Sequence, residues 1–117
     1  MDATEFKIRT KLFALRVMHL VEALPKTKSG DILGKQLLRC GTSVGANYRA
    51  ACRARSQADF IAKMGIVEEE ADEVQYWIDL IVESGMIKAN RVKDLQNEAN
   101  QILSMTVSSI KTARLSK

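Results

Sequence analysis

Apolar residues return every three to four positions along four separate segments of this chain, and only one proline, Pro25, stands in the way of continuous helix. The first stripe is Phe6, Phe13, Val17, Leu20 and Leu24, and the second is Leu33, Leu37, Cys40, Val44 and Ala51. The third is Phe60, Met64, Val67, Ala71, Val74 and Ile78. The fourth is Val92, Leu95, Ala99, Ile102, Leu103, Thr106 and Ile110. Punctuation divides them. Asp2 or Thr4 caps a helix over 4–24 that stops at Pro25, and Ser29 or Asp31 opens a second over 29–54. Ser56, with Asp59 three residues on, opens a third over 57–84 that Gly85 ends, and a fourth covers 90–115. One-sided helices joined by short turns bury their stripes only against each other. The expected fold is therefore all-α: an antiparallel up-down four-helix bundle, one domain over 1–117.

A bundle of this kind uses about one face of each helix, yet the chain carries more apolar residues than that. Ile8, Leu12 and Leu15 form a second stripe on the first helix, and Ile66, Trp77 and Leu80 lie off the core face of the third. The surplus predicts a contact between subunits, hence a homo-oligomer; a wider core that absorbs both stripes is the alternative.

Charge is unevenly spread along the chain. Residues 1–63 carry twelve Lys and Arg against five Asp and Glu, whereas residues 64–117 carry six against nine. The first half is thus the expected anion-binding half. Resolved at 100° per residue, the second helix gathers Lys28, Lys35, Arg39, Arg49 and Arg53 on the side away from its core stripe. From Lys35 to Arg53 that line would run roughly 27 Å and span several phosphates of a nucleic acid. The same line could instead form exposed ion pairs with Glu68, Asp72, Asp79 and Glu83 of the third helix. Beside the core stripe lie Gly34, Gly41, Gly45 and Cys52, small enough for another backbone to come close. Ser43 and Asn47 sit at its edge, where a half-buried amide is expected to fix helix register.

Other functions find less support. Cys40 and Cys52, twelve positions apart on one expected helix, are roughly 18 Å apart and cannot pair, so both are expected to be core or interface residues. With one histidine, His19, and neither a CxxC nor a repeated Glu-x-x-His pattern, no metal site or cofactor is expected. His19 falls beside Leu12 and Leu15 rather than near a candidate catalytic arginine, so no enzymatic activity is expected. No segment approaches the ~20 uncharged apolar residues of a membrane span, and MDATEFKIRTK lacks a signal-peptide core; a cytoplasmic location is expected. Two readings remain: a non-catalytic oligomer that binds RNA or DNA through its backbone, or an oligomeric adaptor whose acidic run Glu68, Glu69, Glu70, Asp72 and Glu73 meets a basic protein. Tyr48 is the one aromatic residue near the basic line, so backbone contact outweighs base stacking.

The run SVGANYRAACRARSQADFIAKMGIVEEEADEVQYWI, with QLLRCGT before it, resembles the four-helix proteins of the bacterial 23S ribosomal RNA intervening-sequence family, the S23-type proteins. The family pattern falls on Arg39, Ser43, Ala46, Asn47, Arg53, Arg55, Ser56 and Phe60. The chain departs from it at Gly45, where many members have proline, and at Ala50 and Ala51, where they have Glu-Gly. The resemblance implies a ring-shaped homopentamer. It also implies kinship with the accessory variability determinant of diversity-generating retroelements, which binds nucleic acid and a reverse transcriptase. On that basis Lys35, Arg39, Arg49, Arg53 and Arg55 are the expected nucleic-acid contacts, and a reverse transcriptase or ribosomal RNA is an expected partner.

Overall fold

Asp2 sits in extended backbone and its carboxylate accepts the Thr4 N–H at 2.8 Å, which starts α1, Ala3–Glu22. The structure, a computed structural model, describes residues 2–116. Thr27 caps α2, Lys28–Ala51, by accepting the Gly30 N–H, and Ser56 caps α3, Gln57–Glu83, by accepting that of Asp59. Gly85, at φ 84°, closes α3: its N–H reaches the Val82 carbonyl and the Met86 N–H reaches Ile81, the paired bonds of a left-handed helix stop. Lys88 precedes α4, Ala89–Leu115, without a side-chain cap.

α2 packs on α1 and α3, α4 packs on α3 and α1, and the diagonal pairs lie further apart, so the helices run around the bundle in chain order. The molecule is an all-α, antiparallel four-helix bundle of 49 × 22 × 20 Å. Its core holds Phe6, Phe13, Val17, Leu37, Val44, Met64, Ile78 and Ile102, all almost fully buried. Two threonines are fully buried in the core: Thr106, part of the expected fourth stripe, and Thr10, which the first stripe passes over. Each donates its hydroxyl to the carbonyl four residues back, which removes the cost of burying it.

Three expectations change. α2 stops at Ala51, three residues earlier than expected, because the chain turns at Cys52 to reach the Ser56 cap; Arg53 and Arg55 therefore lie in the α2–α3 connection and not on the helix. Cys40 is buried as expected; Cys52 is exposed, which rules out the core but not the interface for it. Tyr48 points into the core, edge-on to Phe6 with ring centroids 4.6 Å apart, and is withdrawn from the basic face.

Candidate nucleic-acid interface

Lys28, Lys35, Arg39 and Arg49 lie on the exposed side of α2, opposite Leu37, Val44 and Ala51. From Lys35 to Arg49 the helical part of the line covers roughly 21 Å, and Arg53 and Arg55 continue the charge around the end of the bundle. The two readings of this line divide by residue. Arg39 reaches across to α3, with Nη1 donating to Glu70 at 3.1 Å and Nη2 to Glu73. Partial desolvation works against its charge, but the carboxylates of Glu70 and Glu73 outweigh that and raise its pKa. Lys35, Arg49, Arg53 and Arg55 make no ion pair within 4 Å among the described residues.

The acidic partners are not those expected. Glu70 and Glu73 occupy the α2-facing flank of α3, whereas Asp79 turns the other way and accepts from Gln96 of α4 at 3.3 Å. The Arg55 backbone N–H donates to the Asp59 carboxylate. That carboxyl is held below its ordinary range, first by the hydrogen bond from Lys63 at 2.7 Å and then by Arg55.

The glycines of α2 are where α1 comes closest. A Cβ added at Gly41 would stand 2.7 Å from Val17 Cγ1, and one at Gly45 would stand 3.2 Å from Thr10 Oγ1. Asn47 does not bridge helices. Its amide donates to the Ser43 carbonyl one turn back at 2.9 Å, so register between helices rests on the glycine contacts instead.

The close α1–α2 seam brings in two residues that a reading of α2 alone misses. Lys7 and Lys11 of α1 stand with Arg49 around a groove of about 220 Å³ that Ala14, Gly45 and Ala46 also line. The signal was in the sequence: Lys7 and Lys11 are like charges at i, i+4, a pairing that costs a helix a few tenths of a kcal/mol.

The surplus apolar residues divide as well. Ile8 and Leu12 are each 56% exposed and Leu15 45%, on the side of α1 opposite its core stripe, and Met18 joins them. Of the expected α3 stripe only Ile66 is open; Tyr76, also exposed, lies about 15 Å further along the helix. Trp77 packs partly against the core, its indole N–H on Glu73 at 3.1 Å, and Leu80 is half-buried, so the intramolecular core absorbs much of that stripe.

No group of three or more His, Cys, Asp or Glu among the described residues could hold a metal ion, and no helix is long and apolar enough to cross a membrane. Burial pushes the Cys40 thiol up to about 12.

Residues 5–108 match the family described as 23S rRNA-intervening sequence protein. Among solved structures, the chain is similar to a protein with unknown function from the S23 ribosomal protein family of Bacteroides thetaiotaomicron VPI-5482, solved at 1.70 Å resolution. The two share 35% identity and a TM-score of 0.88, over 95% of this chain and 99% of that one. No curated protein matches this chain.

Proposed function

The chain belongs to the 23S rRNA-intervening sequence protein family, and we propose that it is a non-catalytic, oligomeric protein that binds the backbone of RNA or DNA through the basic surface of α1, α2 and the α2–α3 turn. The carrying observation is that Lys35, Arg49, Arg53 and Arg55 remain without ion-pair partners among the described residues, while Arg39 alone is drawn to α3. Unpaired cations on one face neutralise phosphates and release counterions, which gives affinity without sequence readout. With Tyr48 in the core, that face offers no aromatic platform for a base.

The working form is a cytoplasmic, ring-shaped homopentamer that acts as an accessory factor on ribosomal RNA or beside a reverse transcriptase. Its support is the exposed Ile8, Leu12 and Leu15 stripe, which a second copy would cover, and the family resemblance. Five copies at +4 carry about +20, a field that steers polyanions to the ring.

The test is fluorescence anisotropy with a labelled RNA hairpin and a DNA duplex across salt concentrations, using wild type and the double variant R49E/R53E. Binding that weakens steeply with salt and drops in the variant is expected. Absence of binding by wild type at low salt would refute direct nucleic-acid contact and leave the adaptor reading, in which the acidic run Glu68, Glu69, Glu70, Asp72 and Glu73 meets a basic protein. Native mass spectrometry of wild type and Leu12→Glu tests the ring: wild type is expected as a pentamer that the variant breaks, and a wild-type monomer refutes it.

A further inference from the structure

We infer that the α1–α2 groove is a seat for one backbone phosphate and the anchor of the interface; the inference rests on the nucleic-acid reading above. Three cations from two helices, Lys7, Lys11 and Arg49, converge on it, and no carboxylate lines it. None of the three makes an ion pair within 4 Å among the described residues. Held together without a counter-charge they repel one another, and an anion in the groove removes that repulsion.

The class of anion follows from what the groove lacks. Its two hydroxyls are committed to their own helices, Thr42 donating to the Leu38 carbonyl at 2.8 Å and Thr10 to that of Phe6 at 2.9 Å. Recognition is left to two ammonium groups and a guanidinium fork, donors suited to a group with several charged oxygens. No aromatic residue lines the groove, so a base has nothing to stack on. The lining between the cations is small: Ala14 and the exposed Ala46 offer methyl groups, and Gly45 offers nothing above the backbone. A phosphodiester can therefore come down between the cations, with the sugar and base outside and unread.

The two helices also hold the cations at a fixed spacing. Gly45 packs on Thr10, one turn from both Lys7 and Arg49 along their helices, so the α1–α2 contact sets the width of the groove. Arg39, tied to Glu70 and Glu73, has no such freedom to serve as the anchor although it lies on the same face.

The experiment measures the slope of log affinity against log salt for the full chain and a labelled RNA hairpin. Lys7→Gln, Lys11→Gln and Arg49→Gln are each expected to reduce the slope by about 1. Ala46→Leu crowds the groove from its lining without changing charge and is expected to reduce it similarly, which scattered surface charge would not do. The double variant K93Q/K111Q removes two exposed α4 cations and serves as the charge control. Thermal melts check that every variant folds.

Loss of slope in the four groove variants, with the control unchanged, supports the seat. Wild-type binding with groove variants no weaker than the control overturns the seat and leaves the proposed function standing. Failure of wild type to bind RNA overturns both. Inorganic phosphate, followed through the Gly45 and Ala46 amide resonances at constant ionic strength, separates sources: weak saturation fits a backbone phosphate. Tight saturation that leaves RNA affinity unchanged makes the groove a free-anion site and overturns the inference.

Discussion

α1 is held to its two neighbours in opposite ways. Against α2 it lies in contact with backbone, Val17 over Gly41, where an added methyl group would collide, and Thr10 over Gly45, where one would be tightly crowded. Against α4 it is spanned by one long side chain: Arg9 donates two bonds to Glu98, at 2.7 and 2.9 Å, and further bonds to Gln101 and the Met105 sulfur. That seam is open at its end, with a groove of about 340 Å³ between Arg16, His19 and Arg91. Helices that touch through missing side chains fix their spacing, whereas helices bridged by a flexible arginine do not. The three groove cations lie on the fixed side, which is the side where spacing matters for a phosphate.

The largest effect is expected where the close seam is broken. Gly41→Leu forces a side chain into Val17 and should destabilise by about 3 kcal/mol, read by chemical denaturation. Gly41→Ala gains helix propensity but meets the same methyls, for a net loss of about 1 kcal/mol. Val17→Ala made together with it should restore part of that loss, and simple addition of the two single costs would show that the contact is not the cause. Cysteine labelling gives a second readout. Cys52 should react at once, while Cys40, buried and with its thiol at about 12, should react only on opening, faster in Gly41→Leu than in wild type.

The open seam should respond less. Arg9→Gln removes the ion pair and is expected to cost about 1 kcal/mol, because both partners are only partly buried. Arg9→Lys keeps the charge but loses the two-pronged geometry and should recover less than half. A cost for Arg9→Gln equal to that of Gly41→Leu would erase the contrast between the seams.

The period of the apolar residues made the four helices legible, since burial of one face per helix is a property that the sequence carries locally. The ends were legible at Ser56 and Gly85; α2, however, starts from Thr27 rather than the expected Ser29 or Asp31, and it stops at Ala51 because the path to α3 requires it. The glycine line of α2 announced a close approach, although nothing local could say that α1 was the partner. The site was harder to read. Whether Arg39 is free depends on which flank of α3 faces α2: Glu70 and Glu73 lie on one side of its core stripe and the expected Glu68 and Asp72 on the other, about 100° or more around the helix axis. Tyr48 adjoins Arg49 in sequence, yet at about 100° per residue it turns to the core side of α2, where Phe6 of α1 meets it edge-on. Lys7 and Lys11 belong to the groove only after α1 has docked.

The smallest predicted effect sharpens the comparison with a glycine that has no such partner. Gly65 lies inside α3, and a Cβ built on it meets nothing within 4 Å. Gly41 and Gly65 carry the same backbone cost, since glycine in a helix interior is worse than alanine by roughly 0.5–1 kcal/mol. At Gly41 the seam uses the missing side chain, and at Gly65 nothing in the bundle does. Gly65→Ala should therefore stabilise the isolated bundle by up to about 1 kcal/mol, opposite in sign to Gly41→Ala, and leave the salt slope of nucleic-acid binding unchanged. Because Gly65 adjoins the exposed Ile66, the measurement also bears on assembly. If Gly65→Ala raises the melting temperature of a dilute monomer yet weakens the oligomer, another subunit uses the space that the bundle leaves empty.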